Sequence, residues 1–245
     1  MTVPDPKSFY NETMPRRTRG AYERARWRAN PLLSAQYRML SDTLARFVLP
    51  DARRARRILE VGPGPGTWTK LVLESNPGAR YTLVDISGEM LAQAKENLED
   101  YTNIVFHESD ILSFEASEKY DFFFSSRAIE YMPDKRAAAR KNTSLLAPGG
   151  RGVLITKMPK PFFDFIRGRA PRALHGAQIG PTALTRLMRE EGIIVENIRI
   201  ATVTVPLIGS ALLNEWAYAL LRSFPLFFPC MLFAESYLIT FRKPI

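Results

Sequence analysis

The sequence predicts an α/β fold, in which helices cover both faces of a doubly wound, mostly parallel β-sheet. Between residues 57 and 157, short apolar segments typical of strands alternate with amphipathic segments typical of helices. A glycine-rich turn follows the first of these strands. The chain has 245 residues, of which 46% are hydrophobic, and this suits a single domain with a sizeable core.

The segment ahead of the first strand is basic. Residues 1–57 contain 13 Lys/Arg and 5 Asp/Glu, so they carry +8 of the formal net charge of +9. Asn30 is predicted to cap an amphipathic helix that has Pro31 in its first turn and runs to Phe47. Such a segment can face an anionic membrane or a phosphorylated substrate, or simply be solvated. It contains no nucleic-acid-binding module, which argues against a nucleic-acid partner.

The first strand ends in "ILEVGPGPGTWT" (58–69), where Gly62, Gly64 and Gly66 occupy alternate positions. A helix is predicted from Thr67 onward. A strand, a glycine turn and a helix in succession set bare backbone N–H groups and a helix N-terminus against a ligand. A tight turn alone is the alternative, but three alternating glycines exceed what such a turn needs.

The later elements follow from the same periodicities. Strands are predicted at 80–86, 103–111, 120–126, 151–157, 193–205 and 236–242. Helices are predicted at 88–100, where Ser87 is the cap, at 134–146 and at 181–191. Residues 147–150, "APGG", are predicted as a turn. Residues 158–180 show no clean period, and we expect a lid or binding loop there.

The stretch 206–234 is rich in Phe, Leu and Pro. Its longest uncharged run, between Arg222 and Glu235, is 12 residues, which is too short to span a bilayer. Three interpretations remain open for it: a helical hairpin packed on the sheet, a hydrophobic substrate pocket, or an interfacial membrane patch.

Cysteine and histidine are scarce in this chain. The single cysteine, Cys230, allows no intramolecular disulfide and favours a reducing, cytoplasmic compartment. The N-terminus lacks the apolar core of a signal peptide. Two histidines and one cysteine, without a close His/Asp cluster, predict no metal site.

The glycine spacing departs from the dinucleotide-binding fingerprint G-x-G-x-x-G, because Thr67 stands where the third glycine would be. Glu60, two residues before Gly62, suits a ligand with a positive group, such as an amino-acid moiety. Asp85 can accept hydrogen bonds from ribose hydroxyls, and Asp110 from an exocyclic amine. All of these positions fall at the carboxyl ends of predicted strands, where open α/β sheets bind ligands.

These segments resemble the motifs of class I S-adenosylmethionine-dependent methyltransferases. "ILEVGPGPGTWT" is similar to motif I, and four further segments resemble later motifs in the same order and spacing: "TLVDIS", "HESDI", "YDFFFSSRAIEYMPD" and "LAPGGRGVLITK". The resemblance covers residues 57–157 and is weak elsewhere. It implies a Rossmann-like methyltransferase fold, a seven-stranded sheet whose last strand is antiparallel, and S-adenosylmethionine as cofactor.

The resemblance also implies roles for individual residues. Glu60 and the glycine loop (Gly62, Gly64, Gly66) would hold the methionine portion, with Ser125 and Ser126 near it or near the sulfonium. Asp85 would bind the ribose, while Ile86 and Met90 would lie against the adenine. Asp110 would meet the adenine amine, and Ile111 would lie beside it.

Catalytic candidates are fewer, because methyl transfer depends chiefly on alignment and exclusion of water. A general base is needed only if the acceptor loses a proton with difficulty. Glu130, Tyr131 and His175 are the candidates for that role. Many members of the family carry a histidine where this chain has Tyr131, so a base or binding histidine is absent there.

The predicted function is therefore methyl transfer to a small-molecule or lipid-like acceptor. Residues 1–56 are expected to cover the active site and to govern the acceptor more than the cofactor. Residues 57–245 would form the methyltransferase domain, with insertions at 158–180 and 206–234. A nicotinamide-dependent oxidoreductase and a catalytically idle binding protein are the alternatives. An anionic membrane surface is a candidate partner, and the sequence does not determine the oligomeric state.

Overall fold

The computed structural model describes residues 5–18, 22–159, 178–205, 209–226 and 228–245. A mixed seven-stranded sheet forms its centre. The strands are β1 (Arg57–Val61), β2 (Arg80–Asp85), β3 (Ile104–Glu108), β4 (Tyr120–Ser126), β5 (Leu146–Lys157), β6 (Ile194–Val203) and β7 (Ala234–Arg242). Their spatial order is β3-β2-β1-β4-β5-β7-β6, and β7 runs antiparallel to both of its neighbours. The predicted fold class, including the antiparallel last strand, is confirmed.

Helices flank the sheet and connect its strands. The main ones are α1 (Pro31–Phe47), α2 (Thr67–Ser75), α3 (Gly88–Asn97), α4 (Lys135–Leu145), α5 (Pro181–Glu190) and α6 (Ala211–Leu221). The predicted caps are present. The Asn30 side chain accepts a hydrogen bond from the Leu33 N–H at 2.9 Å, and the Ser87 hydroxyl accepts one from the Met90 N–H at 3.2 Å.

Alternating side chains of the central strands feed two hydrophobic clusters, one on each face. In β4, Phe123 belongs to one cluster, whereas Phe122 and Phe124 belong to the other. All three rings are buried, as expected for a parallel strand covered on both faces. The strand order reverses at β1, which lies between β2 and β4. Such a switch point opens a crevice at the carboxyl ends of the strands.

Two element boundaries differ from the sequence prediction. The third strand ends at Glu108, so Asp110 lies in the loop after it. The "APGG" segment is part of β5, because Leu146 already pairs with Tyr120 and the register then shifts before Arg151 pairs with Phe122. The segment therefore bulges out of a continuous pair of strands.

The stretch 206–234 contains α6 and a short helix, Phe228–Met231, within its described residues 209–226 and 228–234. Asn214 and Tyr218 on α6 are buried. The Tyr218 hydroxyl donates to the Asp42 carboxylate of α1 at 2.9 Å. One side of α6 therefore packs against the body of the protein, as the hairpin interpretation expected for this stretch. Most of the expected lid falls outside the described residues.

Four short helical segments precede α1: Pro6–Ser8, Phe9–Thr13, Met14–Thr18 and Arg24–Arg28. The second and the last of these have π-helical hydrogen bonding. We call residues 5–28 the N-terminal arm. Trp27 fixes its end, because its ring lies edge-on to the Trp68 ring of α2 with centroids 5.2 Å apart.

Candidate cofactor and acceptor site

A cavity of about 410 Å³ opens at the carboxyl ends of β1, β2 and β4. It brings together most of the residues that the sequence singled out. Nine of them line it: Gly62, Gly64, Asp85, Ile86, Met90, Asp110, Ile111, Ser126 and Tyr131. Glu60, Gly66, Ser125 and Glu130 are not on its wall, and His175 lies outside the described residues.

The three glycines of the loop have different surroundings, although all adopt positive φ. A Cβ at Gly62 would lie 2.5 Å from the Ala128 Cβ, and one at Gly66 would lie 2.9 Å from the Leu98 Cδ1. A Cβ at Gly64 would meet no atom within 4 Å. Packing therefore requires glycine at Gly62, whereas the contact at Gly66 is with the flexible end of the Leu98 side chain and Gly64 faces the open cavity.

Asp85 ties the glycine loop to β2. One carboxylate oxygen accepts the Gly64 N–H at 3.0 Å, and the other accepts the Ser87 N–H at 2.9 Å. Burial raises the pKa of Asp85, and these backbone hydrogen bonds oppose that effect. Asp85 thus organises the loop and lines the cavity at the same time.

Glu60 lies on β1 just before the loop and is only 2% exposed. Burial raises its pKa to about 8, and the neighbouring charge of Asp85 adds to the effect. The carboxyl group is therefore mostly protonated at neutral pH in the unliganded protein. A direct contact between Glu60 and a ligand remains a prediction, since Glu60 is not on the cavity wall.

The raised pKa of Glu60 makes the stability of the fold depend on pH. The folded state keeps the proton up to about pH 8, whereas an unfolded chain releases it near pH ~4.3. Stability should therefore fall as pH rises through this interval, by at most about 1.4 kcal/mol per pH unit. Glu60→Gln has no carboxyl group to ionise, so it does not lose stability in this way. The melting temperature of Glu60→Gln relative to that of the wild type should therefore rise between pH 5 and 8 and level off above pH 8.

Thermal melts of the two proteins across this pH range measure the effect. Glu74→Gln is the matched control, because Glu74 is an exposed carboxylate on α2. Its difference from the wild type should not change with pH. A constant difference for Glu60→Gln as well would mean that Glu60 is ionised in the folded protein.

The two serines at the end of β4 have different roles. The Ser125 hydroxyl donates to the Val61 carbonyl at 2.8 Å, so it joins β4 to β1 below the cavity. The Ser126 hydroxyl is buried and has no hydrogen-bond partner among the described residues. Because an unpartnered buried hydroxyl is costly, Ser126 is the better candidate to meet a ligand.

The far side of the cavity is more open. Asp110 is exposed, and its carboxylate accepts the Leu112 N–H at 2.9 Å. Ile111 and Met90 are buried at 3% and 2% exposure, respectively. Together with Ile86 they provide an apolar surface beside two carboxylates, Asp85 and Asp110. Such a surface suits a flat apolar group that carries hydrogen-bond donors at its edges.

The N-terminal arm closes the cavity on the side opposite the sheet. It docks at two places near the β2 and β3 ends. Asn11 accepts the Ser87 hydroxyl at 2.6 Å, and the Lys7 ammonium lies 2.8 Å from the Glu108 carboxylate. The arm therefore reaches the rim around Asp85.

Of the catalytic candidates, Tyr131 lines the cavity and Glu130 does not. The Tyr131 hydroxyl accepts a hydrogen bond from the Tyr10 hydroxyl of the arm at 2.8 Å. Burial raises the pKa of Tyr131, so its hydroxyl stays protonated near neutral pH. This state favours a hydrogen-bonding role for Tyr131 over that of a base.

Glu130 is fully buried at 0% exposure. It accepts the Lys157 N–H at 3.1 Å, and the Arg127 Nε lies 3.3 Å from its carboxylate. These contacts join the turn after β4 to the end of β5. Glu130 therefore positions Arg127, whose own side chain lines the cavity.

Sequence reasoning missed several cavity residues. Arg127 is one, and the arm contributes Tyr10, Tyr22, Arg26 and Trp27. A weak signal existed, because aromatic residues are interleaved with the charges of the basic segment. Only the folded chain shows that they turn toward the glycine loop.

Two features are absent from the described residues, a helix suited to crossing a membrane and a cluster of metal-binding side chains. None of their helices combines the length and the apolar character needed to cross a membrane. They also contain no group of three or more His, Cys, Asp or Glu side chains arranged to hold a metal ion.

Comparisons with known proteins agree with the fold. A family model described as a methyltransferase domain matches residues 59–151. Over 125 residues, the chain is 32% identical to malonyl-[acyl-carrier protein] O-methyltransferase 1 of Ilyobacter polytropus, covering 51% of this chain and 46% of that protein. Over 161 residues, it is 32% identical to trans-aconitate 2-methyltransferase of Variovorax paradoxus, covering 62% and 59%. The aligned region thus spans about half the length of these curated relatives.

Solved structures extend the similarity of fold to nearly the whole chain. Magnesium protoporphyrin IX methyltransferase from Synechocystis PCC 6803, solved with bound S-adenosylhomocysteine, superposes with a TM-score of 0.66 at 13% identity, covering 97% of each chain. The N-methyltransferase NodS from Bradyrhizobium japonicum, also with S-adenosylhomocysteine, has a TM-score of 0.62 at 18% identity. That superposition covers 96% of this chain and 99% of NodS.

Proposed function

We propose that the protein is a class I S-adenosylmethionine-dependent methyltransferase that transfers a methyl group to a small-molecule or lipid-like acceptor, because a family model described as a methyltransferase domain matches residues 59–151. One observation carries the proposal. The glycine loop presents Gly64 to an open cavity at the switch point of the sheet, and Asp85 holds that loop in place.

The residues present fit this cofactor. Gly64 leaves room for close approach to the backbone, and the Ser126 hydroxyl lacks a partner among the described residues. Asp85 would accept from the ribose hydroxyls, and Ile86 with Met90 would flank the adenine. Asp110 would accept from the adenine amine, and Ile111 would pack beside it. Glu60 and the glycine loop would hold the methionine portion.

When bound, S-adenosylmethionine supplies an electrophilic methyl group on a positively charged sulfur. The protein must align the acceptor with that methyl group and keep water out. The arm serves both tasks in this proposal, because Tyr10 and Trp27 form part of the cavity wall opposite the sheet. Tyr131 and Glu130 remain candidates for a catalytic role, as does His175, which lies outside the described residues.

Calorimetric titration of the purified protein tests cofactor choice. S-adenosylhomocysteine should bind with one-to-one stoichiometry, whereas NAD and NADP should not. Incubation with isotope-labelled S-adenosylmethionine and host metabolite and lipid extracts, followed by mass spectrometry, should then show a labelled product. Binding of NAD(P) alone would point to an oxidoreductase, and cofactor binding without any labelled product would point to a catalytically idle protein.

We further propose that the protein works in the cytoplasm and associates peripherally with anionic membranes. The chain has a single cysteine, Cys230, which allows no intramolecular disulfide and suits a reducing compartment. On α6, Leu212, Trp216 and Leu220 follow at intervals of four residues and are 67%, 73% and 68% exposed. They form one apolar stripe on the side facing away from the core. A tryptophan in such a stripe suits the interface of a bilayer, and the basic N-terminal segment would add attraction to anionic lipids.

Replacing Trp216 with Glu should reduce binding to vesicles that contain phosphatidylserine, because it places a charge in the apolar stripe. Vesicle sedimentation at several salt concentrations measures the effect. Val105→Glu is the matched control, because Val105 is an exposed apolar residue on β3 at the other end of the sheet. Equal binding of the wild type and Trp216→Glu would exclude this stripe as a membrane contact.

A further inference from the structure

Two arginines from different parts of the chain line the same cavity. Arg26 comes from the last helical segment of the arm, and Arg127 comes from the turn after β4. Arg127 has a φ of +68°, which is unusual for a residue other than glycine. Such strained backbone conformations concentrate at functional sites. In this protein the unusual backbone conformation occurs in the turn after β4, at a residue that lines the cavity.

Arg26 stacks on an aromatic ring, and its charge acts on Glu23 without forming an ion pair. Its guanidinium carbon lies 4.0 Å from the centroid of the Trp27 ring, a cation–π contact. Among the described residues, no carboxylate lies within 4.0 Å of this guanidinium. The three carboxylates that line the cavity all accept backbone N–H groups: Asp5 from Ser8, Asp85 from Gly64 and Ser87, and Asp110 from Leu112.

Arg127 is held by an ion pair on one side. Glu130 accepts from its Nε, and the same carboxylate is anchored by the Lys157 N–H. Lys157 is a third cation near both guanidiniums, and it is ion-paired with Glu235 at 3.6 Å. Of these three cations, Arg26 is the one without a carboxylate within 4.0 Å among the described residues. Both arginines lie in the wall of the same cavity, and burial and then the charge of Arg127 lower the pKa of Arg26. An anion placed between them would offset both the burial and the repulsion.

Tyrosine hydroxyls surround the two guanidiniums. Tyr10, Tyr22 and Tyr131 line the cavity, and their rings are arranged edge to face around Tyr10. Burial raises the pKa of each phenol, so the hydroxyls remain protonated and can donate hydrogen bonds. Two fixed cations and nearby O–H donors form a suitable environment for a carboxylate or a phosphate.

We propose that Arg26 and Arg127 bind an anionic group, a carboxylate or a phosphate, of the methyl acceptor. This inference rests on the proposed function, because it places the acceptor at the arm end of the same cavity. It predicts that the arm selects acceptors by charge. Arg26 is the specificity-determining residue, since Arg127 also has a structural partner in Glu130.

Calorimetric titration with malonate and with inorganic phosphate tests the site, using the full-length protein saturated with S-adenosylhomocysteine at constant ionic strength. One of the two anions should bind with one-to-one stoichiometry, which identifies the chemistry. Arg26→Gln should weaken that binding by about 10-fold or more, the usual effect of losing a charged hydrogen bond. Arg26→Lys should recover part of the loss. Arg24→Gln, an exposed neighbour on the same helical segment, should bind like the wild type.

S-adenosylhomocysteine affinity, measured first for each variant, separates the two proposals. If the wild type does not bind S-adenosylhomocysteine, the proposed function fails, whatever the anions do. If it does, and Arg26→Gln binds malonate and phosphate as well as the wild type does, the anion site is wrong while the proposed function stands. Failure of both anions to bind the loaded wild-type protein overturns the anion site in the same way.

Discussion

A Gly64→Val variant should bind S-adenosylhomocysteine roughly 100-fold more weakly than the wild type, or not at all, because its side chain fills the space that the ligand needs. A Cβ at this position meets no protein atom within 4 Å, so the new side chain projects into the cavity and not into the core. The fold should survive, apart from the strain of a β-branched residue at φ +57°. Calorimetry measures the affinity, and circular dichroism the fold.

Gly192 supplies a matched control for this prediction. It has a φ of +79°, and a Cβ there also meets nothing within 4 Å, but it lies between α5 and β6, away from the cavity. Gly192→Val should therefore carry a similar backbone strain and keep normal affinity. Gly62→Ala should behave differently from both, since its Cβ would lie 2.5 Å from that of Ala128 and should destabilise the fold. Normal affinity in Gly64→Val would exclude the glycine loop as the cofactor cradle.

Replacing Asp85 with Ala should weaken S-adenosylhomocysteine binding by about 1.5–3 kcal/mol, the range for hydrogen bonds to a charged group. Two causes contribute. The ribose would lose its acceptor, and the Gly64 N–H would lose the carboxylate that holds it at 3.0 Å. Asp85→Asn keeps an acceptor oxygen of similar size, so its loss should be smaller. Calorimetric titration of the wild type, Asp85→Ala and Asp85→Asn with S-adenosylhomocysteine measures the three affinities.

Adenosine and methionine, titrated separately, show which cause dominates in Asp85→Ala. A loss confined to adenosine means that Asp85 acts on the ribose. A loss for both ligands means that it acts through the glycine loop, which the contact with Gly64 makes plausible. Unchanged affinity for all three ligands would contradict any role of Asp85 in binding.

The local sequence pattern accounts for most of the fold. Mostly apolar runs separated by helical periodicity define β1, β2 and β4, because a strand covered on both faces buries most of its side chains. The caps at Asn30 and Ser87 are short-range interactions, so their positions were predictable. The same is true of the rim of the cavity, since parallel strands place their carboxyl ends at one edge of the sheet.

Long-range contacts decided the rest, and no local pattern encodes them. Whether a loop glycine faces packed atoms or open space depends on Ala128 and Leu98, which lie far along the chain. The Ser125 hydroxyl donates to a carbonyl on β1, whereas the Ser126 hydroxyl has no partner among the described residues. The fold thus gives two adjacent serines different surroundings.

The basic segment shows the same division most clearly. The sequence by itself determined its charge, its aromatic content and the helix that ends it. Arg26 and Arg127 are about 100 residues apart in the chain, and only the tertiary structure places both in the wall of the same cavity. The physical reason is that charge composition is local, whereas the burial and mutual distance of two charges depend on every element packed between them.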